Sequence, residues 1–336
     1  MSTTREHDWC WIWPTVGATP VHQSLDSEMF DRSDFPYSET FVREAIQNSL
    51  DANLPGRPVA MSFTFFDDAS ERQMRFLQPV INFRREAGLE VPGDWERGRV
   101  RWIVVEDSDS TGLKGDLTKR TSDFWNYWLN FGVSNKTGPG RGGRGIGRVT
   151  FLIASQIQSV IGYTRRQQDW QQAVCGMTVL PPLVNEDEPR ATHAYLAEKE
   201  AGSVWRLHDA DHIAEDARRA FNFPNYEQQR SSGLALAIPY PHPELEPDGI
   251  LAAAIENFAP AFMSDDMVLR VNDEHLDRES IDEIANRVSG HMRDPAIRDD
   301  PARFLNLIRR ALQEVPTETI YVDGAKRDEL KRIRST

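Results

Sequence analysis

Apolar positions along this chain fall into short continuous or alternating runs, separated by charged stretches with helical periodicity. Residues 59–66 (VAMSFTFF) and 100–106 read as strands, and so do 156–164, 172–179, 202–207, 230–239 and 267–271. Residues 41–53 (FVREAIQNSLDAN) read as an amphipathic helix, with Ser38 as N-cap and Pro55-Gly56 as its stop. Val42, Ala45, Ile46 and Ser49 supply small and apolar groups to its other faces, while Glu44, Asn48 and Asp51 stand at i, i+4 and i+7. At 100° per residue those three fall within roughly 60° of one another. A second helix is expected over residues 70–87, with Met74, Leu77 and Ile81 on one side and its end near Gly88. Further helices are expected over 121–131, 248–258, 278–288 and 301–314. Near the start, Trp9, Trp11 and Trp13 alternate with Cys10 and Ile12, the period of an edge strand that packs its indoles on a core.

Chemistry concentrates in three places. The first is the polar row of the 41–53 helix. The second is residues 99–115 (RVRWIVVEDSDSTGLKG), an apolar strand running into an acidic, glycine-containing turn. The third is residues 138–151 (GPGRGGRGIGRVTF), a glycine-rich loop running into an apolar helix or strand. Gly138, Gly140, Gly142, Gly143, Gly145 and Gly147 free that loop to bring backbone N–H groups against anionic oxygens. A helix beginning near Ile146 would point its positive end at the same oxygens. Around it, Lys114, Lys119, Arg120, Lys136, Arg141, Arg144 and Arg148 face only Asp116 and Asp123, a local basic excess that suits an anion. The loop is not a Walker loop, because no G-x-x-x-x-G-K-[ST] occurs. Each stretch alone has a bland reading: a solvated helix face, an acidic turn, a flexible loop with arginines for solubility. Their order lifts them above it.

Composition narrows the picture. The 336 residues suffice for one large domain or two small ones, and 39% apolar content is ordinary for a globular chain. A net charge of −13 argues against a globally basic DNA-coating protein, though not against a local basic surface. No apolar run approaches a membrane span, and the first residues lack a basic region followed by an apolar core, so no signal peptide is expected. Cys10 and Cys175 form no metal or disulfide spacing and read as reduced thiols of a cytoplasmic protein. There is no internal repeat and no low-complexity tract.

In this order the three stretches resemble the GHKL ATPase superfamily, which includes gyrase B, the ninety-kilodalton heat-shock chaperones, histidine kinases and MutL. EAIQNSLDA is similar to the family's first motif, E-x-x-x-N-x-x-D-A, most closely in its MutL and MORC form. VVEDSDSTGL is similar to the second, D-x-G-x-G, but is one residue longer and carries Asp109 where the first glycine is expected. GRGGRGIG is similar to the third, G-x-x-G-x-G. The likeness covers residues 38–275.

The resemblance implies an α+β fold of Bergerat type, a two-layer sandwich of a mixed, mostly antiparallel sheet with helices on one face. A Trp-rich arm (1–37) would precede it and a short, charged helical segment (276–336) would follow. Helix 70–88 would be an insertion and residues 114–148 a lid over phosphates. The implied cofactors are ATP and Mg2+, with Glu44 as general base and Asn48 as the magnesium ligand. Asp51 and Ala52 complete the first motif, with Asp51 supporting the lid. Asp107 would accept a hydrogen bond from the adenine amino group, since a carboxylate is acceptor-only. It is preferred to its rival Asp109 because it directly follows the apolar strand. Gly112 would let backbone approach the nucleotide. In the lid, Lys136 is the first choice for a cation at the terminal phosphate, ahead of Arg144 and Arg148; Gly142, Gly143, Arg144, Gly145, Ile146 and Gly147 would close on the same oxygens. The fourth motif, Gly-Thr opening a strand, has two candidates, Gly202-Ser203 and Gly233-Leu234, and Gly233 is preferred for the strand–helix–strand that follows it.

The likeness further implies a slow hydrolytic switch, a nucleotide-dependent homodimer and an effector activity on a partner protein. The N-terminal arm could cross to a second subunit. DNA is an open possibility, no membrane is expected, and an association with restriction or phage-defence loci rests on family likeness alone. Two rival readings are a kinase of the histidine or anti-sigma type and a non-catalytic ATP-binding scaffold. Glu44 weighs against both, because a water-activating base serves hydrolysis rather than phosphoryl transfer to a protein or binding alone.

Overall fold

The computed structural model describes residues 9–13, 37–68, 71–117, 119, 122–129, 147–180, 193–199, 205–206 and 211–313. The apolar runs become strands of one mixed sheet: β1 (Trp9–Ile12), β2 (Val59–Asp68), β3 (Val100–Ser108), β4 (Ser159–Arg165), β5 (Gln172–Val179), β6 (His193–Lys199), β7 (Trp205–Arg206), β8 (Gly233–Pro239), β9 (Met267–Val271) and β10 (Glu274–Leu276). Their order is β1-β6-β5-β4-β8-β3-β2-β9-β10, with β7 also paired to β6. The described pairs are antiparallel except β2 with β9. The α+β class and the mostly antiparallel sheet are as the resemblance implies.

The helices are α1 (Tyr37–Ala52), α2 (Glu71–Glu86), α3 (Gly93–Glu96), α4 (Asp123–Leu129), α5 (Gly147–Ile153), α6 (Asp211–Phe221), α7 (Tyr226–Gln229), α8 (Pro247–Met263), α9 (Ile281–Val288), α10 (Pro295–Asp299) and α11 (Pro301–Gln313). They cover both faces of the sheet, so a second helical layer joins the one expected. Alternation along each strand divides the core in two. On β3, Ile103 and Val105 join the core under α1, α5 and α8. Trp102 and Val104 point the other way, into a core with Phe76, Leu77, Val80 and Ile81 of α2 and the alanine face of α6. The sheet is therefore buried on both sides at its centre. Residues of α9 and α11, including Ile281, Ile284, Val288 and Leu305, share the core beneath α8.

Two local expectations shift. Helix α1 begins at Tyr37, so Ser38 lies inside its first turn and does not cap it. Tyr37 stacks on His242 at a ring distance of 4.1 Å, which extends the helix beyond the sequence signal. Strand β6, the short β10 and helices α3, α6, α7 and α10 have no counterpart among the expected elements. The N-terminal alternation is realised as an edge strand. β1 pairs with β6, Trp11 is buried with its Nε1 donating to the Phe76 carbonyl at 2.7 Å, and Trp13 stacks on Phe83 at 5.0 Å.

Candidate functional site

Helix α1 supplies one wall. Its stripe Val42, Ala45, Ile46, Ser49 is buried against the sheet and α8, and Phe41 is buried beside it. Each large apolar side chain buried this way contributes about 1.5–3 kcal/mol, which fixes the rotation of the helix. That rotation leaves Glu44 and Asn48 half-buried at the border of the stripe, Ala52 half-buried and Asp51 exposed. The Nδ2 of Asn48 is buried and has no hydrogen-bond partner among the described residues. An orphaned amide of this kind is costly unless a ligand completes it.

Strand β3 supplies the floor. Positions 103, 105 and 107 share the face that looks at α1, so Asp107 ends the apolar series as a buried carboxylate. Its Oδ1 accepts from Ser110 Oγ at 2.6 Å and from the Leu234 N–H at 2.8 Å. Its Oδ2 lies 3.4 Å from Ser49 Oγ, which also donates to the Ala45 carbonyl at 3.1 Å. Burial pushes the Asp107 carboxyl up to about 6, against the opposing pull of the Ser110, Leu234 and Ser49 bonds. Asp109 has the same strand parity but a left-handed φ of 55° turns it out of the sheet, where it pairs with Arg57 at 3.0 Å.

The first and second motifs meet directly. Thr111 N–H donates to the Ala52 carbonyl at 2.9 Å, and Asn53 forms an isolated bridge with Ser110. Ser110 is held in turn by Ser232, whose Oγ donates to its carbonyl at 2.6 Å. Gly112, at φ 61°, sits so close to β4 that a Cβ would lie 2.7 Å from the Arg165 carbonyl oxygen and 2.8 Å from Thr164 Oγ1. Its freedom thus serves packing on β4 in this structure. Gly233 opens β8 directly beside the aspartate. A Cβ there would lie 2.1 Å from the Asp107 carbonyl oxygen, and Leu234 is the register partner of Asp107. Tyr226 Oη donates to the same Asp107 carbonyl at 2.7 Å, and Thr164 Oγ1 to that of Gly233 at 2.7 Å.

Of the expected site residues, Glu44, Asn48, Asp51 and Ala52 share α1; Asp107, Gly112 and Gly233 gather at the ends of β3 and β8. Lys136, Gly142, Gly143, Arg144, Gly145 and Ile146 lie outside the described residues, as does the rival pair Gly202-Ser203. Gly147 begins α5. The hydroxyl residues around Asp107, namely Ser49, Ser110, Thr164, Tyr226 and Ser232, were not expected. Ser49 had a legible signal, since it continues the apolar stripe of α1 one position after Asn48. Ser110 and Thr164 reach the site through a turn and a strand register that no local pattern encodes.

Among the described residues no group of three His, Cys, Asp or Glu could hold a metal alone, and no helix is long and apolar enough to cross a membrane. No family model matches the chain, and no curated protein matches it in sequence. Solved structures do match. One is the ATPase region of Saccharomyces cerevisiae topoisomerase II, at 13% identity and a TM-score of 0.37, covering 75% of this chain and 51% of that one. Another is the same region bound to ICRF-187 (dexrazoxane), at 12% identity and a TM-score of 0.36, covering 74% and 50%. The chain thus spans about half the length of each of those solved chains.

Proposed function

We propose that this chain binds ATP with magnesium and hydrolyses it slowly, as a GHKL-type switch nearest in its first motif to MutL and MORC proteins. The observation that carries the reading is the junction of α1 with β3. A buried carboxylate, Asp107, presents one lightly engaged oxygen beside the helix whose orphaned Asn48 amide and adjacent Glu44 line the same wall. A carboxylate buried in an acceptor-only state suits the amino edge of adenine. Thr164, Gly112 and Gly233 bring the backbones of three segments against one another around it.

The donor set fits a magnesium ion shared with a nucleotide. Magnesium takes few protein ligands and keeps water and phosphate oxygens, so one amide oxygen beside a triphosphate is a sufficient protein contribution. A half-turn of the Asn48 amide presents its oxygen where the unpartnered nitrogen now lies. When bound, the ion would offset charge on the triphosphate. Glu44 takes the proton from the attacking water, Asp51 supports the lid, and the Ala52 carbonyl holds the turn after β3 through the Thr111 N–H. Lys136, with the 142–147 loop, pairs with the terminal phosphates and closes over them. Closure favours a homodimer that acts on a partner protein, in a restriction or phage-defence setting.

Equilibrium binding and phosphate release test the reading together. Wild-type protein is expected to bind ATP in the presence of magnesium and to release phosphate. Glu44→Ala is expected to keep affinity within a few-fold and to slow release by roughly 10²–10⁴. A wild-type protein that binds no ATP would overturn the proposal, and unchanged turnover in Glu44→Ala would remove Glu44 from the base role.

A further inference from the structure

We infer that Ser110 is a positioning residue that fixes which oxygen of Asp107 faces the ligand, and so sets the preference for an amino-bearing base; the inference rests on the nucleotide reading above. The two carboxylate oxygens are unequal. Oδ1 accepts two short bonds, from Ser110 Oγ at 2.6 Å and from the Leu234 N–H at 2.8 Å. Among the described residues Oδ2 has only Ser49 Oγ, at 3.4 Å. Ser49 carries a single hydroxyl proton, and the Ala45 carbonyl lies closer to it at 3.1 Å. Oδ2 therefore keeps acceptor capacity while Oδ1 is filled.

Ser110 is built to hold this arrangement. It is buried, its N–H donates to the Ser232 carbonyl at 3.2 Å, and its own carbonyl accepts from Ser232 Oγ at 2.6 Å. Its Oγ accepts from the Gly112 N–H at 3.2 Å, which aims the hydroxyl proton at Asp107. The Leu234 bond comes from backbone and survives any side-chain change, but Leu234 has no hydroxyl of its own. Ser110 is thus the side chain among the described residues that orients the carboxylate through a short bond. With Oδ1 saturated, a proton taken up by Asp107 goes to Oδ2. It turns that oxygen from acceptor to donor and reverses its match from an amino to a keto group.

The test compares ATP with inosine triphosphate, which bears a keto oxygen where adenine bears the amino group. The ratio of the two affinities, measured from pH 5 to 8, below the ionisation of the hypoxanthine N1–H, cancels the titration of the triphosphate itself. Wild-type protein is expected to favour ATP at high pH and to lose the preference as pH falls through the Asp107 titration. Ser110→Ala removes a bond that holds this titration down. Its midpoint should rise by about one pH unit, and its preference at pH 7 should fall several-fold. Ser110→Thr keeps the hydroxyl and should restore the wild-type midpoint. A loosened turn alone would weaken both nucleotides alike and leave the ratio in place. If wild-type protein binds ATP with a preference but Ser110→Ala shows the same ratio and midpoint, the Ser110 inference is wrong while the nucleotide reading stands. If wild-type protein binds neither nucleotide, both fall.

Discussion

At the scale of residues, the two aspartates of the turn after β3 have separate fates. Asp107 is buried at the junction with α1, and Asp109 is half-exposed in a pair with Arg57. Asp107→Asn replaces an acceptor by a donor and should weaken ATP binding by about 1.5–3 kcal/mol, the scale of a charge-assisted hydrogen bond. Asp109→Asn removes an exposed pair and should leave binding nearly unchanged. Loss of binding in Asp109→Asn alone would show that the register is misassigned. The same position carries a stability signature. The folded carboxyl titrates at about 6, above its ordinary 3.8, so the native state holds that proton more tightly than the unfolded chain. Its contribution is present below about pH 4 and is lost as pH rises through about 6, costing roughly 3 kcal/mol by pH 8. Glu106, next along β3 and itself raised by burial, and the Tyr226 hydroxyl from α7 are the ionisable neighbours coupled to this site. Denaturant titrations should therefore find Asp107→Asn more stable than wild type at pH 8 and similar to it at pH 4. Equal differences at both pH values would show that burial does not destabilise the charge.

At the scale of elements, α4 buries Phe124 and Trp128, and the indole of Trp128 inserts against β4. Trp128 is buried, and a Cβ added to Gly162 of β4 would lie 2.5 Å from its Cη2 and 2.7 Å from its Cζ2. The indole thus occupies the space of the absent side chain, with its Nε1 unpartnered. Gly162→Ala should cost about 1–3 kcal/mol by overpacking. In a Trp128→Phe background, where a smaller ring leaves room, the same change should cost much less. A double-mutant cycle from urea unfolding reads this coupling, and equal costs in both backgrounds would refute the packing account. The element scale also shows what local pattern missed. β6 pairs with β1 on one edge and β7 on the other, and between the buried Ile213 and Phe221 at its ends α6 buries a row of Ala214, Ala217 and Ala220. An alanine face looks weak in sequence, and it becomes a core face only because α2 and the sheet close on it.

At the scale of the whole molecule, the sheet is a partition between two cores, and the proposed site lies where α1 meets its centre. A nucleotide bound there can shift a monomer–dimer balance only as far as it binds the dimeric form better. A non-hydrolysable ATP analogue is expected to raise the dimer fraction in light scattering across protein concentrations, most clearly with Glu44→Ala, and ADP is not. The same mass with and without analogue would leave an ATP-binding module without gating. In the described structure β1 pairs within its own chain, so an exchanged arm would require that edge strand to leave β6.

The sequence by itself determined most of the elements and the segments that meet at the site. Apolar parity along residues 100–107 and the helical spacing of Glu44, Asn48 and Asp51 are local signals, set by strand and helix geometry. Those signals also separate Asp107 from Asp109 by proximity to the strand, though the positive φ that turns Asp109 outward is visible only in the fold. Tertiary structure alone decided the second helical layer, because α2 and α6 have apolar faces whose target cannot be read from their own periodicity. It alone decided the hydroxyl shell of Asp107 as well. Ser49, Ser110 and the Leu234 N–H come from a helix, a turn and a distant strand, separated from the aspartate by 58, 3 and 127 positions. Polar groups brought together over such separations leave no periodic trace, since what selects them is the cost of burying a carboxylate without partners, a cost that exists only once the chain has closed around it.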